Sequence, residues 1–375
     1  MGSDSGRPFN FAPDYKPIGY DIRNLTLNEA NEILLVAKNG KRKIRVGTIY
    51  GALFCLLGAA VTGTDICSAA PSTISQKTTQ RKLFFPDKFS LGLIYKLENA
   101  NERDLLLHSA MVKNAKGFIG PAKGTVTVPA GKHTMVYLYP SYELVSHPEV
   151  LDQVPPDTIQ CLPLTAVSAM VEVDKLLPHI KRLTGLRRLE ICGSELNDKQ
   201  IGSLKTLTNL QSLDMGENMI TGECCKDLPT LKNLEDLNVS YNQLKPETFV
   251  YIGQCEKLLW LDVSRTQLSD ENLVQLANLQ HLKFLGMKGA IISAKGLAQI
   301  NKMRSLNQLD LRGATISIKD LAILKNSTLR TIDLPGGNYS KAEMKALRQA
   351  LPNVNSRATD THVDKDTATM FAPLH

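Results

Sequence analysis

Aromatic residues make up only 6% of the 375 residues, and Trp260 is the single tryptophan. The seven cysteines contain no C-x-x-C pair, which argues against a disulfide framework, a thioredoxin-like centre and the common zinc spacings. The seven histidines (His108, His133, His147, His179, His281, His362 and His375) are scattered, with no pair at metal-ligand spacing. A P-loop, a G-x-S-x-G turn and a G-x-G-x-x-G turn are all missing, so the chain has no recognisable phosphate cradle, nucleophile elbow or dinucleotide fingerprint. These absences leave no catalytic site to name, and no metal or cofactor is implied. The net charge of +7 is modest for this length. It suits an anionic membrane face or an acidic partner and does not call for nucleic acid.

The first half is organised by charge and hydropathy. Residues 1–45 read as a cytoplasmic tail with one short helix, opened by the capping-box phrase Thr26-Leu27-Asn28-Glu29 and running to Ala37. Lys38 to Arg45 carry five positive charges, and Val46 to Thr64 follow as nineteen residues without one. A helix of that length spans about 28 Å, near the thickness of a bilayer's hydrocarbon core. Residues 46–64 are therefore expected to be a membrane anchor or signal segment. The alternative is a buried core helix, which the lack of an amphipathic stripe disfavours. Cations ahead of the segment put the N-terminus inside and the rest of the chain outside. Cys67-Ser68-Ala69 resembles a small-residue cleavage site, so export after cleavage stays open. Residues 65–82 form a polar linker, and residues 83–154 alternate short apolar runs with turn signals. Ser90 to Leu97, Thr125 to Val128 and Thr134 to Leu138 are the expected strands of a small β-rich module.

The second half is dominated by a repeat. Leu-x-x-Leu-x-Leu recurs as Leu186-Leu189-Ile191, Leu210-Leu213-Met215, Leu234-Leu237-Val239 and Leu258-Leu261-Val263. It continues as Leu282-Leu285-Met287, Leu306-Leu309-Leu311 and Leu329-Ile332-Leu334. Further apolar columns keep the register: Leu196 to Ile316, Ile201 to Met344, and Leu204 to Leu347. Helix-opening residues (Asn197, Thr221, Ser269, Ser293, Ser317 and Ser340) precede the last two columns, with Lys245-Pro246 in their place in the third unit. Each unit is thus expected to be a short strand, a turn, and a helix of two to three turns. No unit can bury its apolar edge alone, and stacking them makes one continuous core.

This pattern resembles the leucine-rich-repeat family, in the 24-residue strand–helix form common in bacterial proteins. Thr266-Gln267-Leu268-Ser269-Asp270-Glu271-Asn272-Leu273 is similar to that form's typical phrase. The resemblance covers about residues 155–354, with Pro155 to Leu164 as a longer first unit. It implies an α/β solenoid with a curved parallel sheet inside and short helices outside, over residues 155–355. The β-rich module at 83–154 would be its N-terminal cap, and 356–375 a polar, disordered tail. Asn218 and Asn242 stand where the family places an asparagine bonded to loop backbone; Ser194, Thr266, Ala290 and Ala314 break that ladder.

Strand side chains alternate between faces, so the residues between the leucines are expected to face the concave side. They form an acidic or amide column (Glu190, Asp214, Asn238, Asp262, Asp310 and Asp333). Beside it the middle units carry Tyr241, Trp260 and Phe284, with Arg265, Lys288 and Arg312 next to them. Aromatics beside arginine are typical of interface hot spots. The expected protein-binding residues are therefore Tyr241, Trp260, Asp262, Arg265, Phe284, Lys288 and Arg312, holding a protein or peptide. Two simpler roles compete: aspartate after the second leucine is common in this repeat whatever the partner, and Trp260 can fold sideways over its neighbours. Cys225 and Cys255 fall on core columns, and Cys224 is expected on the convex side. The function expected is a non-enzymatic binding module outside a membrane. The alternative is an intracellular adaptor similar to the substrate-receptor repeats of ubiquitin ligases, with residues 46–64 buried.

Overall fold

The computed structural model describes residues 80–97, 117–130, 135–165 and 172–357. The short helix expected before Ala37, the cationic run, the apolar segment 46–64 and most of the tail after 356 lie outside these residues. Among the described residues, no helix is long and apolar enough to cross a membrane.

The strands are β1 (Gln80–Phe84), β2 (Gly92–Leu97), β3 (Phe118–Pro121), β4 (Thr125–Pro129), β5 (Met135–Pro140), β6 (Cys161–Pro163) and β7 (Arg188–Glu190). They continue as β8 (Ser212–Asp214), β9 (Asp236–Asn238), β10 (Trp260–Asp262), β11 (Phe284–Gly286), β12 (Gln308–Asp310), β13 (Thr331–Asp333) and β14 (Asn355–Arg357). From β6 to β14 they pair in parallel and in chain order, the topology of a solenoid. Residues in register lie 24 apart from β7 through β12, as in Trp260 opposite Phe284 and Leu261 opposite Leu285. The chain is a leucine-rich-repeat solenoid, an α/β fold.

Each repeat strand has three residues because only one of them, the leucine in the middle, turns inward. Leu189, Leu213, Leu237, Leu261, Leu285, Leu309 and Ile332 are buried and stack along the axis. The columns from the turn and the helix close over them: Leu196, Ile220, Leu244, Leu268 and Ile292 from one side, Leu204, Leu228, Ile252, Leu276 and Ile300 from the other. Burying one such side chain contributes about 1.5–3 kcal/mol, so the stacked columns dominate the fold.

Before the repeats, β2 pairs antiparallel with β5 and β3, and β5 joins β6 in parallel through Tyr137 opposite Cys161. The expected strands at 90–97, 125–128 and 134–138 correspond to β2, β4 and β5. The polar linker ends earlier than residue 82, because β1 pairs with β4 from Gln80 opposite Pro129. β1 buries only Leu83, so its sequence carries too little alternation to reveal it. Likewise the solenoid runs past residue 355: Ser356 and Arg357 pair with Ile332 and Asp333, and Arg357 binds the Asp333 carboxylate at 2.7 Å.

The convex elements depart from the expected helices. Glu247–Gly253, Asp270–Leu276 and Lys341–Ala350 are α-helical, whereas Glu223–Thr230 and Ile318–Asn326 wind as 3-10 helices. Pro229 sits inside the first of these and has no amide for an α-type bond. Asn197, Ser269 and Ser340 cap their helices in reciprocal capping boxes. Thr221 does not cap; its amide and hydroxyl both donate to Asp198 of the preceding unit, at 2.8 and 2.9 Å. Cys224 is buried beside Cys225, their sulfurs 3.9 Å apart, and is not on the convex surface. A 3-10 turn advances three residues, which rotates this cysteine inward relative to an α-helix.

Candidate functional site

The outward face of the parallel sheet is a grid. Strand neighbours lie about 4.8 Å apart and alternate residues of one strand share a face, so the outward side chains form three rows across the units. The first is Ser212, Asp236, Trp260, Phe284 and Gln308. The second is Asp214, Asn238, Asp262, Gly286 and Asp310, all placed by the strand register. The third follows the strand ends: Gly216, Ser240, Ser264, Lys288 and Arg312.

At the centre of the grid, Trp260 and Phe284 are stacked, ring centroids 4.9 Å apart and planes within 9°. Both are half-buried. The expected aromatic centre is therefore a pair and not a trio, and Trp260 covers its neighbour as the simpler reading of that residue proposed. Each ring has one face against the other. On β9 the register partner of Trp260 is Asp236, which is buried.

The second row has a structural duty. Asp214 accepts a hydrogen bond from the Gly216 amide, Asn238 from Ser240, Asp262 from Ser264 and Asp310 from Arg312, all between 2.9 and 3.0 Å. Each side chain thus closes an Asx turn that ends its strand. That explains an aspartate or asparagine at this position in unit after unit without any ligand. The signal was present in the sequence as Asx followed two residues later by the turn.

Asp262 and Arg312 diverge in their electrostatics. Burial pushes the Asp262 carboxyl above its ordinary range; the Ser264 hydrogen bonds oppose this, and the nearby Asp310 charge adds to it. The Asp262 carboxylate leans over Gly286, where a Cβ would come within 2.6 Å of Oδ1. Among the described residues no cation pairs with it at ion-pair distance. Arg312 instead donates from Nε and Nη2 to Asp310, at 3.0 and 2.6 Å. This hydrogen bonding raises the Arg312 pKa further. Its charge is largely committed within its own strand.

Tyr241 and Arg265 are not on the strand rows. Both occupy the turn after the strand in the left-handed conformation, φ 54° and 57°, where the corresponding residues of later units are Gly289 and Gly313. Arg265 lies across Gly289, where a Cβ would meet its Cδ and Nε at 2.8 Å. Of the seven expected contact residues, the strand register sets Trp260, Asp262 and Phe284 on one face of the sheet, while Lys288 and Arg312 follow the ends of their strands and Tyr241 and Arg265 lie in left-handed turns. Asp236, absent from that expectation, adjoins the aromatic pair in the first row.

The Asn ladder is real where the amide exists. Asn218 accepts from the Ser194 and Leu196 amides and donates to the Ile191, Met215 and Gly216 carbonyls. Asn242 repeats the arrangement one unit on, also reaching Met215. Thr266 keeps one bond, to the Val263 carbonyl at 2.6 Å.

Two hollows stand out among the described residues. One of about 30 Å³ lies between the first two units beside Cys224 and Leu228, and one of about 210 Å³ lies between β1 and Asp157. Both are below the roughly 300–1,000 Å³ of small-molecule sites. Among the described residues no group of three or more His, Cys, Asp or Glu is placed to hold a metal ion.

No family model matches the chain, and no curated protein matches it. Among solved structures it is similar to an internalin C2 of Listeria monocytogenes, with a TM-score of 0.37 and 25% identity over 47% of this chain and 71% of that one. It is also similar to an internalin, inlF, of the same organism, with a TM-score of 0.39 and 20% identity. That match covers 53% of this chain and 61% of the internalin, less than two thirds of its length. At such scores the assignment of the fold stands on the strand register and the buried leucine columns themselves.

Proposed function

We propose that the chain is a non-enzymatic binding module that holds a protein or peptide on its concave face, centred on Trp260 and Phe284. The observation that carries this reading is the stacked aromatic pair, partly buried and partly exposed in the middle of the parallel sheet. A large ring left facing water is costly unless something covers it, and aromatics ringed by polar groups are where interface energy concentrates. Asp262, Lys288 and Arg312 supply charge within the same grid, acting mainly on specificity and association rate. Tyr241 and Arg265 on the rim contact the flank of a bound segment. Residues 46–64 tether the module to a membrane, or direct its export, with the repeats on the outer face.

The test is comparative binding. With a partner captured by the parent chain, Trp260→Ala weakens binding at least about tenfold, roughly 1.4 kcal/mol. Lys295→Ala, at an exposed position of the helix Ala294–Leu297, changes little. If both variants bind like the parent, the contact surface is elsewhere. Protease protection of the repeats in intact cells tests the topology separately; a repeat domain recovered in the cytosol refutes the tether.

A further inference from the structure

We infer that the Arg265 guanidinium is the docking point for a carboxylate supplied by the bound segment. The inference rests on the binding-module reading and deepens it, naming the chemistry that the partner brings to one residue.

Three observations converge on Arg265. Its backbone stands at φ 57°, in the left-handed region, where Gly193, Gly289 and Gly313 hold the same turn position in other units. Each of these amides donates to a carbonyl of the next unit, as Arg265 does to Lys288 at 2.8 Å, so the column is one structural position. A side chain there strains the backbone, and glycine does not. The Arg265 side chain also lies along this column: a Cβ on Gly289 would meet its Cδ and Nε at 2.8 Å, and one on Gly313 would stand 3.7 Å from Nη2. Finally, Nε is enclosed without a hydrogen-bond partner. The arginines on the strands or at their ends each hold a carboxylate at 2.6 to 2.7 Å: Arg188 binds Glu190, Arg312 binds Asp310 and Arg357 binds Asp333. Among the described residues, no carboxylate forms an ion pair with Arg265.

A strained backbone and an enclosed donor without a partner are both costs, and such costs gather where a residue serves a ligand. A carboxylate suits the position. The planar guanidinium matches its two oxygens, and charge-assisted pairs of this kind are stronger than neutral hydrogen bonds. With Nε enclosed, the ligand meets the two Nη nitrogens end-on. The surrounding charge sets the valence. In the second row, the third row and the turn column, the units starting at Leu258, Leu282 and Leu306 carry Arg265, Lys288 and Arg312 against Asp262 and Asp310. One positive charge is left over, which balances a single carboxylate and not a doubly charged phosphate. Asp262, three residues before Arg265, leans over Gly286 instead.

The probes are three glycine pentapeptides. One is blocked at both ends with glutamate at its centre, one is acetylated with a free C-terminal carboxylate, and one is blocked with glutamine at its centre. The readout is the Nε–H nuclear magnetic resonance signal of Arg265 in the full chain, identified by its loss in Arg265→Gly. A carboxylate peptide is expected to shift this signal saturably, with the glutamine peptide at least about fivefold weaker. Whichever of the two carboxylate peptides binds tells a side-chain source from a chain end. Arg265→Gly should leave the melting temperature unchanged or higher, because glycine fills this position in other units. A lower melting temperature would make Arg265 a structural strut and overturn the site, as would equal shifts with charged and neutral peptides. If neither carboxylate peptide shifts the signal while Trp260→Ala still weakens partner binding, the carboxylate assignment is wrong and the concave-face reading stands. If a carboxylate peptide binds at Arg265 and Trp260→Ala leaves partner binding intact, the site exists and the concave-face reading is wrong.

Discussion

Replacing Asn218 by alanine should cost far more stability than its size suggests. The side chain is buried and serves backbone of two successive units. Its Oδ1 accepts from Leu196 N at 3.0 Å and Ser194 N at 3.2 Å, and its Nδ2 lies 2.9–3.1 Å from three carbonyls. Two N–H groups can serve only two carbonyls well at once, so about four bonds count. Leu196 is itself buried, and alanine leaves its amide with no replacement partner in a dry setting. An orphaned buried donor costs about 1–3 kcal/mol, and each remaining bond about 0.5–1.5 kcal/mol net. The expected loss is about 2.5–7.5 kcal/mol. The control is Thr266→Val, which removes the single bond to Val263 at constant volume and should cost about 1 kcal/mol. Urea unfolding is followed by far-ultraviolet circular dichroism and by Trp260 emission together. Because units interact mainly with neighbours, loosening the first two units should let the dichroism signal fall before Trp260 responds. A loss for Asn218→Ala no larger than for Thr266→Val would refute the ladder as a major stabilising device.

Asp198→Ala should cost roughly 1–2 kcal/mol, as for a lost helix cap, because this carboxylate accepts from Thr221, Gly222 and Cys224. Burial raises its pKa, but the hydrogen bonds outweigh that and hold it below the ordinary value, so its contribution is present above the unfolded pKa and fades as pH falls through the folded one. Melting of parent and variant at pH 7 and near pH 2 should therefore differ at the first and converge at the second. Asp262→Asn should have the opposite sign: its raised pKa means ionisation opposes folding above the ordinary carboxylate range, and asparagine can keep the Ser264 bond as Asn238 keeps that of Ser240. Its melting temperature should exceed the parent's at pH 7, with the gain vanishing once both pKa values are passed on the acid side. Finally, residues 155–375 should be less thermally stable than residues 80–357, because removing β2 and β5 exposes the buried edge at Cys161 and Leu162; equal stability would deny residues 80–154 a capping role.

The leucine columns were legible because they are redundant: many positions report the same register, and no single substitution can hide it. What could not be read was where each three-residue strand ends. Tyr241 and Arg265 follow the strand by a few residues and continue its face by simple alternation, yet both lie in a left-handed turn that breaks the alternation. Glycine at the same column in later units was the available clue. Cys224 was misplaced for a related reason, since a 3-10 turn and an α-turn direct adjacent residues differently. The acidic column was visible as a pattern, but its main duty depends on backbone amides two residues on. The stacking of Trp260 on Phe284 follows from register alone, since partners in a parallel pair sit side by side on one face.

The central claim is that the Trp260–Phe284 pair is the middle of the contact surface. Acrylamide quenching of Trp260 emission, measured with and without saturating partner, tests it with no substitution at all. The claim predicts that the partner shields the indole and lowers the quenching constant markedly. An unchanged constant at full occupancy would place the contact away from the concave centre and contradict it.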